Sequence, residues 1–359
     1  MTGRPLQAVI TGVGHHVPPR VLTNLDLEKM VDTSDAWIRE RTGISERHIV
    51  DAGSATSDLA YEAARAALLD AGVSAADLDL VIVATATPDM PFPATACLVQ
   101  HRLGAARAGA FDLECGCSGF VYALAVGSQF IQSGTFRRVL VIGADTLTRV
   151  TDFTDRNTCV LFGDGAGAVV LEPSTDGHGV LSMTLRADGG GAELLRMPAG
   201  GSRLPASTET LAAGQHYIQM AGNEVFKFAV KVLGEAALEL LDAAGLTVED
   251  VKLFVPHQAN LRIMSAAARR AGIPEEKLFC NVERYGNTSC ASIPIALSEA
   301  VSQGRLGRDD VVTICGFGAG LAWGGAVMRW GYSRVSTDPA ARLSAAAHES
   351  QGAVTATVH

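Results

Sequence analysis

The amino-acid sequence repeats one pattern in its two halves. Residues 71–83 (AGVSAADLDLVIV) and 244–256 (AGLTVEDVKLFVP) each follow an Ala- and Leu-rich amphipathic run. Each copy is typical of a helix, a glycine stop, a short acidic connector and a buried strand. The copies lie about half the chain apart, a period far too long for a solenoid of small stacked repeats. The repeat therefore predicts two similar α/β halves.

Glycine-rich turns that run into apolar strands close each half, at 162–171 (FGDGAGAVVL) and 317–328 (FGAGLAWGGAVM). The polar, turn-rich segment 172–179 (EPSTDGHG) lies between them. We therefore predict halves of residues 1–174 and 175–332. Apolar strands such as LVIVATAT and RVLVIGAD indicate sheets that helices cover on both faces.

Composition narrows the class of protein. The 359 residues are 48% hydrophobic, which is enough for a large core, and the net charge of −9 argues against broad nucleic-acid binding. No secretory signal precedes the seven cysteines, an odd number, so reduced thiols in the cytoplasm are expected. No apolar run is long enough to cross a bilayer. Residues 333–359 are small and polar and predict a flexible tail.

Cys117 is the first candidate for chemistry. It lies between a predicted strand at 109–113 and a predicted apolar helix at 120–131. A thiol at the start of a helix is close to unpaired N–H groups, which favour the thiolate. Cys115 is expected to point elsewhere, and both cysteines could instead be inert core residues. A Cys-x-Cys pair without further nearby ligands does not indicate a metal site.

His257 and Asn287 are the second and third candidates. His257 directly follows the predicted strand of the second repeat, and Asn287 follows Gly286 and precedes a helix of small residues. The alternatives are a structural histidine and a helix cap. Together with Cys117 they suit one reaction: the thiolate accepts an acyl group, and a neutral His and an Asn donate to the enolate of a decarboxylated malonyl thioester. The turn at 317–320 would supply N–H groups for a second oxyanion.

Several segments, in order, resemble one family: DTSDAWIRERTGISERH, ECGCSGFVYAL, MAGNEVFKFAV, VPHQANLRI, YGNTS and GFGAGLAWG. They resemble the β-ketoacyl-acyl-carrier-protein synthase III family, the initiating condensing enzymes of dissociated bacterial fatty acid synthesis, over residues 8–330. The resemblance implies a thiolase-like α/β fold, in which two duplicated βαβαβαββ halves form a five-layered αβαβα sandwich, usually as a homodimer. It also implies condensation of a short acyl-CoA primer with malonyl-acyl carrier protein, with no cofactor besides these substrates.

The resemblance also implies roles for individual residues. Catalysis falls to Cys117, His257 and Asn287, and the acyl oxyanion to the backbone N–H groups of Cys117 and Ala319. Trp37 and Arg156 would stack on the adenine of coenzyme A, Arg41 would reach its phosphates, and Asn223 and Asn260 would line the pantetheine channel. Phe162 and Phe317 would line the acyl pocket, and Phe92 would reach into the acyl pocket of the partner subunit. Acyl carrier protein would contact Gln258, Ala259, Asn260, Leu261 and Arg262.

Other functions fit the sequence less well. A starter-unit ketosynthase or acyltransferase of polyketide metabolism would keep the same three residues and differ in primer, and the unusual ECGC segment leaves the primer open. A thiolase would be expected to have a His at the position of Asn287. A non-catalytic partner subunit would lack Cys117. A dinucleotide-binding oxidoreductase is disfavoured because the third glycine of the fingerprint is missing after Gly14.

Overall fold

The computed structural model describes residues 6–332, and the predicted tail at 333–359 lies outside the described residues. The strands are β1 Gln7–His16, β2 Val21–Thr23, β3 Glu46–His48, β4 Leu80–Ala84, β5 Gly109–Leu113, β6 Val139–Thr146, β7 Asp164–Ser174, β8 Gly179–Ala187, β9 Leu195–Arg196, β10 Gln219–Met220, β11 Val251–Pro256, β12 Val311–Gly318 and β13 Ala322–Arg329. The helices are α1 Asn24–Leu27, α2 Asp35–Thr42, α3 Thr56–Ala71, α4 Thr95–Leu103, α5 Gly119–Gln132, α6 Arg156–Cys159, α7 Thr208–Ala212, α8 Gly222–Ala243, α9 Leu261–Arg270, α10 Val282–Tyr285 and α11 Ser292–Ser302.

Two sheets form the framework. The first has the order β1-β7-β6-β4-β5, with β4 parallel to β5 and β6, and β7 antiparallel to β1 and β6. The second has the order β11-β12-β13-β8, with β11 parallel to β12. The chain passes from the first sheet to the second between Ser174 and Gly179.

Helices cover both sheets and fill the space between them. Helix α3 packs on β1, β6 and β7, α5 contacts strands of both sheets, α11 packs against β1, β6, β7 and β11, and α8 packs on the second sheet and against α9. Helix α5 can occupy the centre because its side chains are apolar around most of the helix, with Phe120, Val121, Leu124 and Ile131 all buried. The resulting αβαβα order confirms the predicted five-layered fold.

The second half departs from the expected strand count. The βαβαβαββ half that the resemblance implies has five strands, whereas the second sheet has four, and the missing strand is reduced to an isolated bridge between Phe254 and Leu278. The side chain of Gln258 replaces it: Nε2 donates to the carbonyl of Phe279 at 3.1 Å, and Oε1 accepts from the N–H of Asn281 at 2.9 Å. A buried amide thus satisfies backbone groups that a further strand would have paired.

Within residues 6–332, no helix is both long enough and apolar enough to span a membrane.

Candidate active site

A cavity of about 340 Å³ brings the three candidate catalytic residues together. Its lining includes Cys117, His257 and Asn287. Cys117 belongs to a single 3₁₀ turn, Gly116–Ser118, between β5 and α5. His257 directly follows β11, and Asn287 lies between α10 and α11. The two halves therefore each contribute to one cavity, the first through Cys117 and the second through His257 and Asn287.

The surroundings of the Cys117 thiol oppose the effect that the start of a helix is expected to have on its pKa. Burial raises the pKa of Cys117 to about 12, and the negative charges of Asp145 and Glu114 add to this effect. A hydrogen bond from Ser289 lowers the pKa by less than burial raises it. The position before α5 does not outweigh these effects, because removing a thiolate from water is costly.

The imidazole of His257 is neutral and fixed in orientation. Burial lowers the pKa of His257 to about 3, so the ring carries no charge at neutral pH. Its Nδ1 lies 2.6 Å from the hydroxyl of Ser292, and its ring meets that of Phe317 edge-on, with centroids 5.5 Å apart. With Nδ1 engaged, Nε2 is the ring nitrogen left for a ligand in the cavity.

The amide of Asn287 is held so that its NH₂ group is left for a ligand. The N–H of Ser289 donates to Asn287 Oδ1 at 2.9 Å, which uses the carbonyl oxygen. The Asn287 backbone is hydrogen-bonded to the two residues that flank Phe162. Its N–H donates to the carbonyl of Leu161 at 2.8 Å, and its carbonyl accepts from the N–H of Gly163 at 3.0 Å. A donor NH₂ and a neutral imidazole therefore line the same cavity.

The glycine-rich turn after β12 lies directly against the nucleophile. A Cβ on Gly318 would come within 2.5 Å of the Cys117 nitrogen, and a Cβ on Gly116 within 2.9 Å of the Ala319 nitrogen. Only glycine allows these two backbone segments to approach so closely. Ala319 itself is not among the non-glycine residues with positive φ, so its backbone suits alanine. The backbone nitrogens of Cys117 and Ala319 therefore lie on two adjacent turns.

The residues expected to bind coenzyme A lie at the cavity or beside it. Trp37, Arg41, Asn223 and Asn260 line it. Arg156 does not line it, but its guanidinium lies 5.0 Å from the centroid of the Trp37 ring, and that of Arg41 lies 5.4 Å from it. Arginines therefore rest on the indole that is expected to stack on adenine.

The segment expected to meet acyl carrier protein is only partly at the surface. Gln258 is 1% exposed and Ala259 is also buried, because Gln258 hydrogen-bonds to the backbone as described above. The Gln258 side chain is therefore engaged within its own chain, and its contact with acyl carrier protein stays a prediction. Asn260 caps α9 by accepting from the N–H of Arg262 at 2.8 Å, and Leu261 and Arg262 are exposed.

The three phenylalanines of the expected acyl pocket separate into two groups. Phe162 and Phe317 are buried at the cavity. Phe92 is 85% exposed and does not line the cavity of its own chain.

The sequence did not indicate four further residues of the site, which are Asp145, Ser289, Cys290 and Ser292. Ser289 hydrogen-bonds the Cys117 thiol, and Cys290 Sγ lies 3.0 Å from the carbonyl oxygen of Gly116. The signal available was a run of small polar residues, TSCAS at 288–292, next to a candidate catalytic Asn. Small polar residues before a helix more often serve as caps, so the run alone does not indicate a site.

Comparison with known proteins gives a consistent result. Models of 3-oxoacyl-[acyl-carrier-protein] synthase III match residues 111–189, and models of its C-terminal region match residues 241–330. The β-ketoacyl-[acyl-carrier-protein] synthase III of Desulfitobacterium hafniense is 56% identical over 321 residues, which cover 89% of this chain and 97% of that protein.

Two solved structures show the same fold. The β-ketoacyl-[acyl carrier protein] synthase III of Thermus thermophilus matches with a TM-score of 0.85 and 48% identity, covering 90% of this chain and all of that one. The priming β-ketosynthase of the R1128 polyketide biosynthetic pathway also has a TM-score of 0.85, with 35% identity, and covers 92% of this chain and 98% of that one.

Proposed function

The chain belongs to the 3-oxoacyl-[acyl-carrier-protein] synthase III family, and we propose that it performs the family's reaction through an acyl thioester on Cys117. The enzyme is an acyltransferase that condenses an acyl-CoA primer with malonyl-acyl carrier protein in fatty acid biosynthesis. The products are 3-oxoacyl-acyl carrier protein, carbon dioxide and coenzyme A. The observation that carries the residue assignment is the shared cavity of Cys117, His257 and Asn287.

Acylation comes first. The sulfur of Cys117 attacks the thioester carbonyl of the primer, the carbonyl oxygen becomes an oxyanion, and the bond to the coenzyme A sulfur breaks. The proton of the Cys117 thiol leaves with coenzyme A as its free thiol. Neighbouring N–H groups of Cys117 and Ala319 are suited to hold the oxyanion, since the two turns adjoin.

Decarboxylation and condensation follow. The malonyl carboxylate leaves as carbon dioxide, and its electron pair forms an enolate whose oxygen accepts from His257 Nε2 and Asn287 Nδ2. The enolate carbon attacks the acyl carbonyl, and Cys117 departs as a thiolate that regains a proton from water. A neutral imidazole supports this role, because it donates a hydrogen bond without giving up its proton. Thiol, imidazole, amide and backbone N–H suffice, so we propose no further cofactor.

Coenzyme A and the carrier protein would approach from the side of α2 and α9. Trp37, Arg41 and Arg156 supply a flat aromatic face and two guanidinium groups for the nucleotide. Exposed Arg262, with Arg269 and Arg270 in the last turn of α9, supplies positive charge for an acidic carrier protein.

The assembly is inferred to be a homodimer. Phe92 and Met90 are exposed, large and apolar, and they lie on the loop that joins β4 to α4. Insertion of Phe92 into the acyl pocket of a second copy would bury them and would set the length of the primer. All seven cysteines are free thiols, which supports a cytoplasmic location.

A polyketide starter-unit enzyme remains the second candidate, favoured only by the fold match at 35% identity. It would use the same residues on a different primer. Mass spectrometry of the acyl-Cys117 adduct after incubation with a panel of acyl-CoA primers separates the two, because a preference for acetyl-CoA favours fatty acid synthesis.

The test of the residue roles separates two half-reactions. Cys117→Ala should form no acyl-enzyme with labelled acetyl-CoA. His257→Ala and Asn287→Ala should still take up the label but should release little carbon dioxide from malonyl-acyl carrier protein. A stable acyl adduct on Cys117→Ala, or unchanged carbon dioxide release by both other variants, would refute the respective assignment.

A further inference from the structure

The hydroxyl of Ser292 lies between the backbone of Gln258 and the imidazole of His257. Ser292 Oγ is 2.6 Å from His257 Nδ1 and 3.3 Å from the backbone nitrogen of Gln258. All three residues are buried. Ser292 is the first residue of α11, so the helix holds the hydroxyl in place.

The direction of these hydrogen bonds follows from the chemistry of the groups. A backbone N–H can only donate, so Ser292 Oγ accepts from Gln258. Among residues 6–332, the hydroxyl has no acceptor within hydrogen-bond distance other than His257 Nδ1. It therefore donates its one proton to Nδ1. An imidazole that accepts at Nδ1 and is neutral carries its own proton on Nε2.

The geometry points to Ser292 as a positioning residue that holds His257 in the Nε2–H tautomer, so that the ring presents a donor to the cavity. This inference rests on the proposed role of His257. The other tautomer would present the lone pair of Nε2, which would repel the enolate oxygen. A hydroxyl that never touches substrate thus decides whether the imidazole stabilises or opposes the negative charge.

One short segment fixes both donors. Asn287 Oδ1 accepts from Ser289 N–H, which leaves Nδ2 to donate, and Ser292 orients His257. Ser289 has φ of 51°, an uncommon value for a residue with a side chain, so the segment between Asn287 and Ser292 adopts a backbone that its own preferences disfavour. The tertiary contacts of this segment must therefore hold it in that conformation.

Nitrogen NMR on the full-length protein with ¹⁵N-labelled histidine tests the tautomer without any substrate. The shifts of the two ring nitrogens distinguish protonated from unprotonated nitrogen, and a His257→Gln variant assigns the His257 signals. We expect protonated Nε2 and unprotonated Nδ1 in the wild type. Ser292→Ala should give a mixture of tautomers, and Ser292→Thr, which keeps the hydroxyl, should restore the single Nε2–H form.

The half-reactions provide the second measurement. Ser292→Ala should lower carbon dioxide release from malonyl-acyl carrier protein by about 10²-fold, the loss typical of one oxyanion donor. Acylation of Cys117 should change by less than about threefold, because it uses other donors. Ser298→Ala is the matched control, since Ser298 lies on the same helix and its Oγ is 2.9 Å from Nδ1 of His15, away from the cavity. It should leave carbon dioxide release unchanged.

The outcomes are distinguishable. An Nδ1–H tautomer in the wild type, or a tautomer unchanged in Ser292→Ala, overturns the inference whatever the activity shows. Unchanged carbon dioxide release by His257→Ala instead overturns the proposed function, and the NMR result then still decides what Ser292 does to the ring.

Discussion

The carboxylate of Asp145, near the end of β6, accepts a hydrogen bond from the backbone N–H of Cys290 at 3.1 Å. The first residue belongs to the half that carries Cys117, and the second to the half that carries Asn287. The other carboxylate oxygen accepts from the backbone N–H groups of Ala86 and Thr87 and from the hydroxyls of Thr85 and Thr87. A fully buried carboxylate therefore links the two halves beside the nucleophile.

Asp145→Asn should have two opposite effects. The amide NH₂ would face a donor, so stability should fall by about 1–3 kcal/mol and carbon dioxide release should fall with it. Cys117 should nevertheless become more reactive, because the Asp145 charge contributes, after burial, to its raised pKa. Thiol alkylation by iodoacetamide at fixed pH and urea unfolding measure the two effects.

Asp89→Asn serves as the control for that variant. Its carboxylate also accepts hydrogen bonds, though fewer, from the N–H and hydroxyl of Ser57 at 2.8 and 2.7 Å, but it is not among the groups that shift the Cys117 pKa. It should lose stability without faster alkylation. Equal alkylation rates for Asp145→Asn and the wild type would contradict the electrostatic argument.

Buried thiols should make stability fall at alkaline pH. Burial raises the pKa of Cys315 well above its ordinary value, so the folded thiol stays protonated while the unfolded one ionises above about pH 8.5. The contribution of Cys315 is therefore fully present below about pH 8.5 and is lost as pH rises. Once the unfolded thiol is ionised, Cys315 should lower the free energy of unfolding by about 1.4 kcal/mol for each further pH unit.

Cys315→Ala should flatten the dependence of the unfolding free energy on pH between about 9.5 and 10.5 by that amount. Urea unfolding under reducing conditions measures it. Cys97→Ala, at an exposed cysteine, is the control for the loss of one thiol. Identical slopes for both variants would show that Cys315 does not differ in ionisation between the folded and unfolded states.

Truncation of Glu299 should destabilise the segment that precedes Asn287 in the chain. Burial opposes the ionised form of Glu299, yet hydrogen bonds from Arg284, Tyr285 and Asn281 lower its pKa. Glu299→Ala leaves these donors without their acceptor, so the unfolding free energy should fall by about 2–3 kcal/mol. Thermal unfolding measures this, and an unchanged melting temperature would contradict it.

Trp37→Ala should weaken the use of coenzyme A specifically. Loss of the indole should raise KM for acetyl-CoA by about tenfold and leave kcat nearly unchanged, because the nucleotide is remote from the reacting atoms. An acetyl thioester of N-acetylcysteamine, which lacks the nucleotide, is the matched substrate and should show no change. An equal rise in KM for both substrates would show that Trp37 supports the fold and does not bind the nucleotide.

The sequence alone predicted the α/β duplication and the three residues of the shared cavity. The repeats at 71–83 and 244–256 and the ordered motifs are local patterns, so one chain reveals them. Cys117, His257 and Asn287 each stand next to glycine, proline or the end of a strand, which makes them recognisable.

Tertiary structure decided the ionisation and orientation of those residues. Burial and, to a smaller extent, the Asp145 charge raise the pKa of the Cys117 thiol, and Asp145 is 28 positions away in the chain. Likewise, His257 takes its orientation from Ser292 and Gln258 turns inward to pair the backbone at Phe279 and Asn281. Desolvation and hydrogen-bond partners arise only when distant segments pack together, and therefore no local pattern of residues encodes them.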